Sequence, residues 1–261
     1  MRQRIFRMLG VLFLVLAIGF GGWYAYAQHQ YAAEAAAFDA LADLVATPVP
    51  SGAADETDQP GQTAAPDPAL VRYQQLAAQN ADLVGWVQIP DTKLNYPVMQ
   101  RDNAYYLSHA FDQSKSKSGT PFLDEACDLA DDTMPQIVYG HHMRNGSMFA
   151  GLVKYADQSY WQAHPDILFD TLDARRTYEI FAAFDMQVLQ KGAAGFRIYD
   201  PVRLTDADAF DRYCEEVTAL SAYDTGIRPA YGDRLLVLIT CSYQAEDGRF
   251  VVVAREKRAS V

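Results

Sequence analysis

The sequence LLVLITC at Leu235–Cys241, followed after seven residues by RFVVVA at Arg249–Ala254, decides the fold. Apolar runs of this length, rich in branched side chains, predict two buried β-strands, and the polar connection between them predicts a hairpin. In an antiparallel pair with this loop length, Cys241 and Arg249 are opposite each other with Cβ atoms about 5 Å apart. The sequence therefore predicts a guanidinium group beside a thiol.

A guanidinium in that position has two chemical uses. It favours the thiolate form of a neighbouring cysteine, and its planar set of donors can stabilise an oxyanion that develops on a carbonyl under attack. The alternative is that Arg249 only closes the mouth of the hairpin beside a buried, inert Cys241.

The cysteine count also directs attention to Cys241. The chain has three cysteines, and an odd number leaves at least one thiol without an intramolecular partner. Cys214 shares helical spacing with Phe210 and Val217, which predicts a small buried hydrophobic residue. Cys127 lies in an acidic loop where nothing nearby indicates activation. Cys241 is thus the candidate nucleophile.

The segment Gly140–Met143 supplies a candidate proton-transfer group where the apolar strand Ile137–Tyr139 ends. Adjacent residues leaving a strand point in opposite directions, so at most one of His141 and His142 faces a given site. A histidine suits proton transfer to a leaving amine. The alternative is a metal site, but no further His or carboxylate has the spacing of familiar zinc motifs, and we expect no metal and no cofactor.

Eight short strands suggest a β-barrel with peripheral helices. The predicted strands are Leu83–Ile89, Leu94–Met99, Thr120–Asp124, Gln136–Tyr139, Ile167–Asp170, Thr177–Asp185, Arg234–Cys241 and Arg249–Arg255. The predicted helices are Pro68–Ala81, Ser147–Ala156 and Thr205–Leu220. The last of these is part of a long insertion before the final two strands, with Thr205 as its N-cap and Asp206 and Asp208 in its first turn.

The N-terminus predicts a membrane anchor. Arg2, Arg4 and Arg7 precede an uncharged run from Met8 to Ala27, and twenty helical residues span roughly the 30 Å hydrocarbon core. The arginines should stay in the cytoplasm, which places the rest of the chain outside. The alternative is a signal peptide cleaved after Ala25–Ala27, but the apolar run exceeds the roughly 7–15 residues usual for such segments.

The remaining organisation follows from composition. Residues 1–27 are predicted to be the cytoplasmic start and transmembrane anchor, residues 28–68 an extracellular spacer, and residues 69–261 one catalytic domain. Within the spacer, 28–45 is Ala-rich and could extend the helix. The net charge of −11 argues against nucleic-acid binding, which relies on clustered Lys and Arg.

Several ordered motifs resemble the sortases, Gram-positive enzymes that attach proteins to the cell wall, and more narrowly their class B branch. The resemblance runs from about Leu70 to Ala254. Its carriers are Thr240-Cys241 with Arg249 eight residues on, YGHH at 139–142, DLVGWVQIP at 82–90 with NYPV at 95–98, DNAYYLSH at 102–109, and SGTPFLD at 118–124.

The resemblance implies an eight-stranded sortase-type barrel with His141, Cys241 and Arg249 as the catalytic residues. The helix near Thr205–Leu220 looks like the class B insertion. The region of Asn103 and Leu107 is then expected to contact the substrate. Ile239 departs from the Ser often found two residues before the cysteine, so no side-chain hydroxyl is expected to contact the substrate there.

By the same resemblance, the protein is a cysteine transpeptidase at the cell membrane, with a single span and an extracellular catalytic domain. It would cleave the C-terminal sorting signal of secreted proteins after Thr through a thioacyl intermediate. The acceptor would be an amine of the peptidoglycan cross-bridge or a pilin lysine. Two alternatives stay open: a cysteine peptidase that hydrolyses the same kind of motif, and a catalytically silent, tethered peptide-binding domain.

Overall fold

The computed structural model describes residues 2–46, 67–189, 193, 195–241 and 248–258. The chain forms two compact units, Met1–Leu41 and Ala42–Val261. Helix α1 covers Arg2–Ala46, so the predicted helical extension beyond residue 27 is confirmed. Its Phe6–Ala46 part is long and apolar enough to cross a membrane. Residues 47–66, about half of the predicted spacer, lie outside the described residues.

The second unit is built around a closed barrel with the strand order β1-β2-β3-β4-β7-β8-β6-β5. This confirms the predicted eight-stranded barrel. The strands are β1 (Leu83–Gln88), β2 (Asn95–Met99), β3 (Phe122–Leu123), β4 (Gln136–Gly140), β5 (Asp166–Thr171), β6 (Thr177–Gln187), β7 (Leu235–Cys241) and β8 (Gly248–Glu256). The pairs β2/β3 and β4/β7 are parallel, and the other neighbours are antiparallel.

The barrel is held by the strand pair that the sequence singles out. Residues 235–240 of β7 and 250–254 of β8 are all buried, because each of these strands has neighbours on both edges and apolar side chains on both faces. β8 also pairs along its length with β6, from Tyr178↔Glu256 to Gln187↔Gly248, with one irregularity between Ile180 and Ala182. The β7–β8 ladder therefore holds the residues at its ends in fixed positions.

Three helical elements differ from their predicted bounds. Helix α2 covers Pro68–Ala77, with Asp67 as its N-cap, and ends before the predicted Ala81. The predicted helix at Ser147–Ala156 is a 3-10 helix over Phe149–Ala156. Helix α4 covers Ala207–Leu220 in the predicted insertion, and helix α3, Gln158–Ala163, was not predicted.

The predicted N-cap of α4 was wrong. Asp206, in an extended conformation, accepts a hydrogen bond from the backbone N–H of Ala209 at 2.8 Å. Thr205 is therefore outside the helix. Both residue types can cap a helix, but a carboxylate is also favoured by the partial positive charge of the helix N-terminus.

Candidate active site

The three predicted catalytic residues come together across three adjacent strands at one end of the barrel. In the parallel pair β4/β7, Gly140 is in register with Thr240, so the next residues along each strand are His141 and Cys241. In the antiparallel pair β7/β8, Cys241 is directly opposite Arg249. Neighbouring strands lie about 4.8 Å apart. The backbone register therefore places Cys241 between the histidine and the arginine.

The imidazole of His141 has a defined partner. Its Nε2 lies 2.8 Å from the backbone carbonyl oxygen of Leu107. A carbonyl can only accept a hydrogen bond, so Nε2 carries the proton. In the neutral ring, Nδ1 then holds the lone pair that can take up a proton.

The backbone around His141 is also fixed. Its carbonyl oxygen accepts a hydrogen bond from the backbone N–H of Phe149 at 2.9 Å. A Cβ on Gly140 would lie 2.5 Å from the Phe149 ring, so only glycine lets the strand end pass this close to the aromatic side chain. The adjacent His142 instead forms an isolated bridge with Met148.

Arg249 is partly buried at the start of β8. Its Nη1 donates a hydrogen bond to the carbonyl oxygen of Gly248 at 2.9 Å. This contact holds one arm of the guanidinium near the strand start, beside the position that is paired with Cys241. A planar group with several donors at this point can hold a carbonyl oxygen and the negative charge that develops on it.

The two predicted substrate-contacting residues lie on the segment that carries the Leu107 carbonyl. Leu107 is 42% exposed, which is high for a large apolar residue in this unit. The Asn103 amide donates to Asp124 Oδ2 at 3.0 Å and accepts from the backbone N–H of Glu125 at 2.9 Å. Asn103 thus ties its segment to the residues after β3, and substrate contact by either residue stays a prediction.

The other two cysteines are buried thiols, which confirms the predicted burial of Cys214 and shows that Cys127 is also buried. Burial raises the pKa of Cys127 to about 11 and that of Cys214 to about 12. At neutral pH both are therefore protonated and poor nucleophiles. Among the residues that the structure describes, there is no group of three or more His, Cys, Asp or Glu side chains arranged to hold a metal ion.

The contacts of His109 with Tyr105 were not predicted from the sequence. The His109 ring stacks on that of Tyr105, with centroids 3.8 Å apart and an interplanar angle of 2°. Its Nδ1 also lies 2.6 Å from the Tyr105 carbonyl oxygen. The spacing of four residues between the two rings was the available signal, and His109 lies two residues from Leu107.

Comparisons with known proteins agree with this geometry. The family model described as Sortase domain matches residues 87–257. Sortase B of Listeria monocytogenes is 33% identical over 176 residues, which cover 66% of this chain and 69% of that protein. A solved Staphylococcus aureus sortase B–substrate complex has a TM-score of 0.63 at 27% identity, covering 73% of this chain and 86% of that one. A solved sortase B complexed with triglycine has a TM-score of 0.62 at 27% identity, covering 73% and 87%.

Proposed function

Because this chain belongs to the class B branch of the sortase family of cysteine transpeptidases, we propose that it cleaves the C-terminal sorting motif of secreted proteins after Thr and joins the new end to a cell-wall amine. Cys241 is the nucleophile, His141 transfers protons, and Arg249 stabilises the oxyanion. The observation that carries these roles is the register that aligns Gly140 with Thr240 and pairs Cys241 with Arg249.

The first half-reaction forms a thioester. The Cys241 thiolate attacks the Thr carbonyl carbon, and the carbonyl electron pair moves to oxygen, where Arg249 donates hydrogen bonds to it. When the oxyanion collapses, the peptide C–N bond breaks. The leaving amine takes a proton from protonated His141, at Nδ1, since Nε2 is committed to the Leu107 carbonyl.

The second half-reaction reverses these roles. A neutral acceptor amine attacks the thioester carbonyl, His141 Nδ1 takes the proton that the amine loses, and the C–S bond breaks to release the Cys241 thiolate. The products are a new amide and the starting enzyme. No cofactor is needed, since the bond energy of the cleaved amide is kept in the thioester.

The partners follow from the same chemistry. One solved relative is a sortase B–substrate complex, and another holds triglycine, a peptide with a free amine. These support a sorting peptide as donor and a peptidoglycan cross-bridge amine or pilin lysine as acceptor for this chain. Helix α1 supports attachment to the cell membrane with the barrel outside, because its apolar stretch follows three arginines.

The test is product analysis with purified full-length protein and a library of candidate sorting peptides, with and without triglycine. We expect cleavage after Thr, a thioester trapped on Cys241, and a triglycine adduct. Cys241→Ala should abolish all three, whereas the matched Cys214→Ala should mainly lower stability, because the small cavity that it opens costs on the order of 1 kcal/mol.

The two alternatives give different products. Cleavage that yields only the free acid with and without triglycine would show a hydrolytic peptidase. Peptide binding without any thioester would show a silent binding domain. Full activity in Cys241→Ala would remove the proposed mechanism.

A further inference from the structure

All three backbone carbonyls of the short 3-10 turn Tyr105–Leu107 accept hydrogen bonds. The carbonyl of Leu107 accepts one from His141. The Tyr105 carbonyl lies 2.6 Å from His109 Nδ1, and the Tyr106 carbonyl accepts from the backbone N–H of Thr120 at 3.0 Å. The Leu107 carbonyl bonds to His141 Nε2 at 2.8 Å. The turn therefore aims a fixed acceptor at the catalytic imidazole.

The turn is clamped by a stack of three flat groups. The Arg101 guanidinium carbon lies 4.0 Å from the centroid of the Tyr105 ring, and the His109 ring stacks on Tyr105 at 3.8 Å. His109 also bonds back to the carbonyl of the residue on which it stacks. Stacking and the hydrogen bond thus both restrict the rotation of the peptide units between Tyr105 and His109.

Residues that precede β3 hold the C-terminal side of this stack by hydrogen bonds. Thr120 Oγ1 donates to the His109 carbonyl at 2.9 Å, and the backbone N–H of Ser116 donates to the Ser108 carbonyl at 3.0 Å. The N-terminal side of the turn is capped by Asp102 Oδ1, which accepts from the backbone N–H groups of Ala104 and Tyr105 at 3.0 and 2.8 Å. These contacts fix both ends of the segment that presents Leu107.

Resting on the proposed function, we propose that His109, through its stack and hydrogen bond with Tyr105, is a positioning residue that holds the Leu107 carbonyl in place as the orienting acceptor for His141. In this arrangement a backbone carbonyl does the work that a third side chain does in many nucleophile–histidine sites. It keeps the proton on Nε2 and presents Nδ1 for proton transfer. Because the carbonyl is uncharged, it can accept the hydrogen bond from Nε2–H of both the neutral and the protonated ring.

The direct test is the tautomer of His141. The full chain in detergent micelles, labelled with nitrogen-15 histidine, should show a neutral His141 ring protonated on Nε2, with its signals assigned by their loss in His141→Gln. His109→Phe keeps an aromatic ring on Tyr105 but deletes the hydrogen bond, and should give a mixture of the two tautomers. A wild-type ring protonated on Nδ1, or an unchanged tautomer in His109→Phe, would overturn the proposal.

The kinetic test separates positioning from substrate contact. In single-turnover acylation, His109→Phe should lower the maximal rate about tenfold, the worth of one well-placed hydrogen bond, with half-saturation by the sorting peptide changed less than twofold. His109→Asn, whose amide can still reach the Tyr105 carbonyl, should recover part of the rate. A loss confined to half-saturation would contradict positioning and indicate a substrate contact.

A substitution at the surface tests the positioning role with little risk that the variant misfolds. Arg101→Gln removes the outer layer of the stack at an exposed side chain and should lower the acylation rate about twofold to threefold in the same direction. If Arg101→Gln and His109→Phe both acylate at the wild-type rate while the wild type transfers peptide normally, the positioning proposal fails and the proposed function stands. If the wild type neither cleaves nor forms a thioester, the proposed function fails, whatever the tautomer of His141.

Discussion

At the scale of single residues, Arg249 tests whether charge or geometry matters beside Cys241. Arg249→Lys keeps the charge but loses the planar set of donors that matches a carbonyl oxygen. We expect single-turnover acylation to fall about a hundredfold to a thousandfold, the usual effect of losing one oxyanion donor. Alkylation of Cys241 by iodoacetamide, which needs no oxyanion site, should stay within a few-fold of wild type.

The same strand offers a matched control. Arg255 also lies on β8 but at the opposite end of the barrel, where it forms ion pairs with Glu179 and Asp233. Arg255→Lys should change the thermal stability without changing the acylation rate. If Arg249→Lys lowered alkylation and acylation in the same proportion, Arg249 would act on thiol ionisation instead.

The adjacent histidines give a second residue-scale prediction. His141 bonds to the Leu107 carbonyl, and His142 forms a bridge with Met148. His141→Ala should therefore reduce single-turnover acylation by at least about a hundredfold, in the range of lost general acid–base catalysis, while His142→Ala should keep it within about tenfold. Equal and severe losses in the two variants would leave His141 without a distinct role.

The buried thiols predict a pH dependence. Burial raises the pKa of Cys127 from 9.0 to about 11 and that of Cys214 from 9.0 to about 12. The folded state favours the neutral thiols, so their contribution to stability is complete below about pH 9 and is lost as the pH rises toward 11–12. Cys241→Ser should thus take up almost no iodoacetamide at pH 8 when folded, and two equivalents when unfolded.

Rapid labelling of Cys127 or Cys214 in the folded variant at pH 8, identified by peptide mass mapping, would contradict this prediction, because it would show that these thiols are accessible. The midpoint of urea unfolding should also fall between pH 9 and 11 by more in Cys241→Ser than in the triple variant that adds Cys127→Ala and Cys214→Ala.

The candidate site shows what could be predicted at this scale. Cys241 and Arg249 were paired from sequence, because the loop length fixes the register of a hairpin. The neighbouring position of His141 came only from the family resemblance, since nothing local specifies that β4 lies beside β7. The Leu107 carbonyl could not be predicted, because a backbone acceptor has no sequence signal and its direction depends on a three-residue turn.

At the scale of elements, the connection between the Tyr105–Leu107 turn and β3 depends on one glycine. Gly119 has φ +59, and a Cβ there would clash with the Tyr106 carbonyl oxygen and lie 3.0 Å from that of Leu107. Gly119→Ala should therefore displace the turn. We expect a loss of stability of about 2 kcal/mol or more, together with a reduced acylation rate.

A second glycine separates backbone strain from steric contact. Gly226 has φ +78, with nothing within 4 Å of an added Cβ. Gly226→Ala should carry the conformational cost alone, about 1 kcal/mol, and leave acylation unchanged. Measuring urea unfolding and acylation in both variants decides the matter: equal effects of the two substitutions would mean that contact with the turn carbonyls is unimportant.

The elements themselves were predicted where their pattern is strong. β7 and β8 were placed to within a residue or two, because long branched apolar runs have few other structures. β3 was predicted as Thr120–Asp124 but covers only Phe122–Leu123, since Pro121 has no N–H for the ladder. The short helix α3 carries no buried side chain, so it left no apolar periodicity to recognise.

At the scale of the whole molecule, the barrel closes through a mixture of parallel and antiparallel pairs. The parallel pair β4/β7 brings together strands separated by about a hundred residues of sequence, and the insertion with α4 lies within that separation. His141 and Cys241 therefore become neighbours only when β4 pairs with β7. Acylation activity accordingly reports this long-range strand pairing and not local structure.

The last prediction concerns the direction of insertion into the membrane. Positive residues at the cytoplasmic end of a first apolar helix set its orientation, and Arg2, Arg4 and Arg7 precede the apolar stretch of α1. In a bacterial host, protease added to intact cells should digest the barrel of the wild-type chain. Replacing all three arginines by Glu should leave a larger protected fraction, because the orienting charge is lost.

The matched control replaces the same three arginines by Lys, which keeps the charge and should keep the barrel accessible. The mass of the membrane-bound chain decides whether the apolar helix is retained. A chain that begins after Ala27 and is found in the medium would show a cleaved signal peptide. Barrel protection equal in the wild type, the Glu variant and the Lys variant would contradict orientation by these arginines, because charge would then have no effect on which side the barrel reaches.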